Sequence, residues 1–290
     1  MGYTDFDGFI EAVKNHVLTL EPSGTTVSVR FIERPGARYT GLTVTPPNSH
    51  LSKVINLEDL YGYGATWRSQ LEEILAITPP SVMMDVDFLD DYEQVKTKLT
   101  VHVLPTAKVP ASVISSEIDN TGLSNVPYLD FGETDGSRAG ASIPTTSLNT
   151  WNVTADQVIR DAYANTARLF PPAVAPIGET LKEMDPYLDV EDDPISPVLV
   201  VSNVAKYYGA ASLFQPGMFE KISARLGSES FWLVPSSVHE WLAMNSSIGD
   251  SEWLRSTIRE VNASAVTPNE YLADDPFWYD AKNGFLRISD

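Results

Sequence analysis

The sequence predicts an α+β fold with mixed or antiparallel sheets and packed helices, and argues against a doubly wound parallel sheet. Three observations predict it. Helix-period and strand-period segments come in runs, and the strict strand–helix–strand alternation of a parallel sheet is missing. The RPGAR segment at 34–38 and Asn283-Gly284 near the end are hairpin signals between alternating strands. Finally, 290 residues, 43% of them hydrophobic, suffice for a substantial core.

The elements follow in order. Residues 5–20 place Phe6, Phe9, Ile10, Val13, Val17 and Leu20 on a 3–4 spacing, an amphipathic helix capped by Thr4 or Asp5 and closed before Gly24. TVSVRFIE (26–33) alternates Val27, Val29 and Phe31 against Ser28 and Arg30, a half-buried strand, with a second strand expected at 41–45. Residues 57–77 return to helical spacing through Leu60, Tyr63, Trp67, Leu71, Ile74 and Leu75, and Pro79-Pro80 stop them. A further helix is expected over 87–99, using Phe88, Tyr92, Val95 and Leu99, before the strand TVHVLP. Residues 106–150, rich in Ser, Thr, Gly, Asn and Pro, suggest short strands near 128–132 and 141–147.

Thr154-Ala-Asp-Gln157 is a capping box, and the helix behind it buries Val158, Ile159, Ala162, Thr166 and Leu169 before Pro171-Pro172. EMDPYLDVEDDP (183–194), with six acids and two prolines, suits a solvated boundary loop. PVLVVSN and GAASLFQ (209–215) look like paired strands, and 216–226 like a helix ended by Gly227. SFWLVPSSVHEWLAM (230–244) forms one or two strands around Pro235. A helix over 251–261 directs Trp253, Leu254, Ile258 and Val261 inward, and FWYDAKNGFLRIS closes as a hairpin. Cuts near 106–125 and 182–196 divide the chain into parts 1–105, 106–182 and 196–290, which form one or two compact domains.

Charge and composition narrow the functional classes. Thirty-nine acids face 20 bases, a net of -19. Such a field repels phosphate backbones, because nucleic-acid affinity needs Lys and Arg to displace counterions, and it disfavours anionic membranes for the same reason. Solubility in a crowded cytoplasm is the plain reading of this surplus, and binding a basic protein partner is the sharper one. With no cysteine, disulfides, thiol nucleophiles, iron–sulfur clusters and thiolate zinc sites drop out. The start carries no basic and apolar leader, and no window approaches a membrane span, so a cytoplasmic protein is expected. On that expectation the sequons at Asn152, Asn245 and Asn262 stay unmodified.

Chemistry-bearing residues are sparse. The four histidines are His16, His50, His102 and His239, none spaced from another for a metal-binding pair. Asp5-Phe-Asp7-Gly8 lacks the remaining ligands of a calcium loop, and 189–193 reads first as a solvated loop, with weak calcium binding as the alternative. Gly62-Tyr-Gly64 is no dinucleotide fingerprint, and neither a phosphate-binding loop nor a serine elbow occurs; no cofactor and no metal site is expected. Tyr207-Tyr208 and 277–279 (FWY) can stack a ligand, although core and hairpin packing is the commoner use of such aromatics. One segment gathers catalytic residue types: Ser236, Ser237, His239 and Glu240, a nucleophile, base and acid within five positions. If the strand continues, Ser237 and His239 share a face about 7 Å apart, longer than a hydrogen bond. Two functional classes follow. The favoured one is a non-enzymatic interaction or regulatory protein, the other a hydrolase-like enzyme built on these four residues.

Longer stretches carry a resemblance. TWNVTADQVIRDAYANTARLF within 148–171, YYGAASLFQPGMFEKISARLG within 200–227, WLVPSSVHE and REVNASAVTPNEYLADDPFWYD resemble an uncharacterised clostridial Firmicutes family, domain of unknown function 5688. The first helix, the 38–45 strand and DVDFLDDYEQVKTKL resemble it too, with weaker matching over 106–147. Asn165, YGAAS at 208–212 and Pro235 more distantly resemble the domain of unknown function 1444 family, with one residue too many between Tyr208 and Ser212. The resemblances imply a bacterial cytosolic protein and supply no chemistry.

Overall fold

A computed structural model describes residues 5–34, 37–47, 52–76, 87–134, 137–185, 187 and 196–287. The chain divides into two compact units, Met1–Asp85 and Val86–Asp290. Among the described residues the fold is α+β, with helices packed on three antiparallel sheets and no parallel pairing.

The first unit comprises α1 (Phe6–Leu20), β1 (Thr26–Arg34), β2 (Ala37–Thr45), β3 (Lys53–Asn56), α2 (Leu57–Gly62) and α3 (Trp67–Ala76), with strand order β1-β2-β3. Asp5 caps α1, its carboxylate accepting from Gly8 N at 2.7 Å, so the acid that opens the calcium-like string serves the helix. Phe9, Val13 and Val17 pack on Leu42, Val44, Ile55, Leu57, Leu60, Trp67, Leu71 and Leu75. Two expectations change here. The single helix over 57–77 is two helices broken by a 3-10 turn at Gly64–Thr66. Gly64 has φ +55°, a left-handed conformation that ends the helical ladder, and Tyr63 faces solvent. The Val27–Val29–Phe31 face of β1 is opposite Val44, Leu42 and Thr40, but β1 is an edge strand and Phe31 is 69% exposed. Alternation identifies the face of a strand, and packing decides how far along it coverage runs.

The second unit holds α4 (Tyr92–Val95), β4 (Leu99–Pro105), β5 (Ser116–Ile118), β6 (Leu123–Thr134), β7 (Ser137–Ser142), α5 (Ser147–Trp151) and α6 (Ala155–Leu169). It continues through β8 (Pro172–Pro176), α7 (Ile177–Met184), β9 (Val198–Asn203), α8 (Met218–Leu226), β10 (Ser230–Ser237), β11 (Glu240–Asn245), α9 (Ser251–Ser264), β12 (Phe277–Asp280) and β13 (Gly284–Arg287). One sheet centres on β6, with β4 along one edge and β5 and β7 along the other. The other has the order β13-β12-β10-β11-β9-β8. A single core of Leu99, Val101, Val126, Val158, Ala162, Val201, Phe231, Trp241 and Phe277 serves both.

Several local expectations are overturned in this unit. The helix over 87–99 is a 3-10 turn, the single turn α4 capped by Asp91, and a second 3-10 turn. Leu99 is already in β4, opposite Leu129, so the ladder takes over where the helix would have continued. GAASLFQ is a buried 3-10 turn, Gly209–Phe214, packed against the end of β9. The hairpin of 230–245 turns at Val238 and His239, while Pro235 stays in register opposite Trp241. Ser147 opens α5 instead of closing a strand, and Leu169 is half-buried. Leu254 and Ile258 face inward on α9, but Trp253, one residue's 100° rotation from Leu254, is about half exposed, and so is Val261 in the last turn of the helix.

The cuts expected after 105 and across 182–196 fall within pairings of this unit: β4 pairs β6, and β8 pairs β9 across the acidic stretch. Pro79-Pro80, His50 and residues 189–193 lie outside the described residues.

Candidate functional site

The four residues of the serine–histidine segment surround the β10–β11 turn. Ser237 and Glu240 close it as a register pair, leaving Val238 and His239 at the tip. His239 is therefore off the strand, and the side-by-side arrangement with Ser237 gives way to a backbone bond, His239 N donating to Ser237 Oγ at 3.1 Å. Ser236 Oγ donates to Glu240 Oε1 at 3.1 Å. Val238 N donates to Glu270 O, and Ala210 N donates to Val238 O, which pins the tip between two neighbouring segments. The imidazole is oriented by groups outside the segment. Its Nδ1 accepts from Tyr208 N at 3.0 Å, and its Nε2 is 3.8 Å from Glu270 Oε1. Both ring nitrogens are thus directed away from the two serines, and the fold brings the four residues together without the hydroxyl-to-imidazole bond of a nucleophile and base.

What the imidazole meets is a loop built at the end of β9. Asn203, only 2% exposed, directs it: its Oδ1 accepts from Ala205 N and Tyr207 N, and its Nδ2 donates to Tyr207 O. Lys206 and Tyr208 both lie in the left-handed region, φ +51° and +46°, at a cost of order 1 kcal/mol each. Gly209 follows because nothing larger fits. A Cβ there would come within 2.2 Å of Ser202 Oγ and 2.5 Å of His239 O. Ser202 Oγ itself donates to His239 O at 2.7 Å, tying strand, loop and turn together.

This backbone course lays Tyr208 flat on His102, ring centroids 3.7 Å apart and planes 3° apart. Tyr128 stacks on His102 at 4.6 Å, Tyr207 meets it edge-on, and His239 is tilted 5.3 Å from Tyr208. Arg138, paired through Nε and Nη2 with Asp130, is over Phe170 at 4.4 Å and Tyr207 at 5.6 Å. The result is a run of aromatic, imidazole and guanidinium groups drawn from β4, β6, β7, the loop after β9 and the β10–β11 turn. Burial, with a smaller contribution from His239, holds the His102 imidazole down to about 3, so it is neutral. Burial also lowers His239, against the pull of Glu270 and Glu240. Tyr207 is pushed up to about 12, chiefly by burial.

The other aromatic string, 277–279, packs internally: Phe277 is fully buried, Trp278 meets Trp232 edge-on at 4.5 Å, and Tyr279 stacks on Phe219. Two shallow clefts flank α6. One of about 400 Å³ is lined by Lys96, Thr97, Asp161, Ala164, Asn165 and Arg168, and one of about 430 Å³ shares Lys96 and Asp161 and reaches Thr154. Their polar groups are engaged with each other. Asp161 accepts from Tyr92 and Gln157, Lys96 pairs with Glu93, and Asn165 binds the Thr97 and Leu99 carbonyls. Among the described residues no group of three or more His, Asp or Glu is placed to hold a metal, and no helix is long and apolar enough to cross a membrane.

Sequence reading missed the partners of His239. Tyr208 and Glu270 are 31 positions away on either side, and His102 is farther still. The one local hint was the Tyr207-Tyr208-Gly209 string, a bulky pair before a glycine that marks a tight backbone course.

Fold and site together define a class: an antiparallel α+β protein in which His102 and His239 are locked into an aromatic cluster, while Ser236 bonds the Glu240 carboxylate and Ser237 the turn backbone. The chain belongs to the family of unknown function DUF5688, which matches residues 6–281. No curated protein and no solved structure matches it. The second resemblance, through Asn165, residues 208–212 and Pro235, has no counterpart among these findings.

Proposed function

We propose that this protein is a non-catalytic interaction protein that holds a basic protein partner against its anionic surface. The observation that carries the reading is the charge. A formal net of -19 is the number of carboxylates left over if every Lys and Arg neutralises one. Those acids that do pair are largely at the surface: the Glu93 side chain is 74% exposed, and those of Glu11 and Glu183 are each 64% exposed. Such pairs contribute little to stability, and the surplus field accelerates encounter with a cationic partner and repels an anionic one.

A hydrolase working through Ser236, Ser237, His239 and Glu240 fits the geometry less well. A serine needs an imidazole nitrogen to take its proton, and here one nitrogen accepts from Tyr208 N while the other faces Glu270.

The test uses a lysine-rich peptide and an equally long glutamate-rich control, followed by fluorescence anisotropy. The basic peptide should bind at about 0.01 M salt and lose at least about tenfold in affinity by about 1 M, where screening shortens from about 30 to about 3 Å. The acidic control should not bind. No association of the basic peptide at low salt rejects the reading. So does turnover of a generic ester or phosphoester that disappears in His239→Ala.

A further inference from the structure

We propose that two copies of this chain pair edge to edge through β1, joining their three-stranded sheets into one. The proposal goes beyond the basic-partner reading and does not depend on it. A strand at the edge of a sheet presents a row of unpaired N–H and C=O groups and templates another strand unless something blocks it. The other sheet edges among the described residues are blocked. β8 begins and ends with proline, at Pro172 and Pro176. The outer edge of β4 is covered by α6: Val101 N donates to Thr166 Oγ1, and Leu99 O accepts from Asn165 Nδ2. β7 meets β6 across a register shift at Asp130–Gly132, and β3, β5 and β13 are three or four residues long. β1 has none of these devices. It runs nine residues without proline or lysine, pairs with β2 in unbroken register from Thr26 to Arg34, and has no described strand on its other side.

The side chains of β1 leave the same edge open. Val27, Val29 and Phe31 lie on the face that carries Leu42 and Val44 into the core. Cover thins along this row: Val27 is half-buried, Val29 is 36% exposed and Phe31 69%. An apolar row beside unpaired backbone is what an added strand covers, and the residues of β1 point to a second β1. Contact between identical chains about a two-fold axis needs a surface complementary to itself. Outward from Val29, β1 is nearly a palindrome of residue types. Ser28 matches Arg30 as polar, Val27 matches Phe31 as apolar, and Thr26 matches Ile32 as β-branched.

Antiparallel pairing centred on Val29 therefore sets Val29 against its own counterpart, with Val27 opposite Phe31 and Ser28 opposite Arg30 on both sides of the axis. The apolar rows of the two copies meet as one strip. Charge favours this register, because no like charges are opposed: Arg30 faces Ser28, and Glu33 faces Thr25. Charge also favours this part of the chain. Met1–Asp85 holds six of the 20 bases and ten of the 39 acids, so it bears 4 of the 19 surplus negative charges, and β1 itself holds two bases and one acid. Copies that repel elsewhere are least repelled here. The pairing uses one edge of each chain, and the far edge of the sheet, β3, is short and opens on Lys53, so assembly closes at two copies.

The test measures the mass of the whole protein in solution by light scattering, over a concentration series at about 0.01 and about 0.5 M salt. The expected result is a dimer that dissociates on dilution and is tighter at the higher salt, where screening relieves the repulsion between like-charged copies. A lysine-rich peptide held by the anionic surface has the opposite salt dependence, so the two readings fail separately. Val29→Lys sets an ammonium at the two-fold axis and should give a monomer with an unchanged circular dichroism spectrum. The absence of native cysteine permits a second arm. With diamide as oxidant, Val29→Cys should form a disulfide dimer, since directly opposed residues of antiparallel strands have Cα atoms about 4.5–5.5 Å apart, within disulfide reach. Val54→Cys, on β3 and 45% exposed, should not. A monomer at every concentration and salt overturns the proposal. So does a dimer that Val29→Lys leaves intact, assembly beyond two copies, or cross-linking of Val54→Cys as readily as Val29→Cys. If Val29→Lys does not fold, the cysteine comparison decides.

Discussion

Gly209 shows at the residue scale how little freedom the site allows. Its missing side chain lets the backbone pass between Ser202 Oγ and the His239 carbonyl, with an added Cβ reaching 2.2 and 2.5 Å from them. Gly209→Ala is expected to destabilise the protein by about 1–3 kcal/mol, the usual cost of overpacking, read as a lower denaturant midpoint by tryptophan fluorescence. An unchanged midpoint would mean that the β10–β11 turn and the end of β9 are not in contact as described. A glycine after two tyrosines was visible in the chain. That it excludes a methyl group was not, because the excluding atoms belong to Ser202 at the end of β9 and His239 in the β10–β11 turn. The same holds for Ser236 and Ser237. Their proximity to His239 in sequence suggested chemistry, and the turn redirected them to Glu240 and to the backbone of His239.

The elements themselves were more legible. Asp5 and Thr154 were recognisable as helix starts because capping is settled within three residues: Asp5 accepts from Gly8 N, and Thr154 Oγ1 accepts from Gln157 N at 3.2 Å. The return half of the Thr154 capping box is replaced. The Gln157 amide instead donates to Asp161 and accepts from Arg160, so partners at i+4 and i+3 on the same helix outcompeted the cap. Thr154→Ala should therefore cost about 1 kcal/mol, a single cap bond, measured as a shift in the urea midpoint. A loss beyond about 2 kcal/mol would show that this threonine does more than cap α6. The misread elements share a cause. Residues 57–77 and 87–99 have helical spacing of apolar residues, yet Gly64 in the first and the start of the β4 ladder in the second interrupt it. Residues 209–215 had too few side chains to show either period, and their compact turn is dictated by the strand they pack on.

At the scale of the whole molecule, charge and core act in opposite directions. Apolar packing in each unit holds the chain together, while a net of -19 makes compaction self-repulsive at low salt. Raising the ionic strength from about 0.01 to about 0.15 M should thus raise the thermal midpoint. An increase of about 2–4 °C corresponds to about 1 kcal/mol in a chain of this size. A midpoint that falls with salt would show that favourable ion pairs, such as Arg138–Asp130 and Arg255–Asp275, outweigh the surplus repulsion.

By itself the sequence determined the α+β class, the principal helices with their caps, the two hairpins at 34–38 and 277–287, and the formal net charge of -19. Each of these depends on neighbours within a few positions or on a plain sum over the chain. Only the tertiary structure decided that the β8–β9 pairing spans the acidic stretch, that Phe31 and Trp253 face outward, and that His239 meets Tyr208 and Glu270 while Tyr208 covers His102. Those relations join segments far apart in the chain. Side-chain period and turn chemistry say which face a residue occupies, but they hold no record of which distant segment will be packed against it.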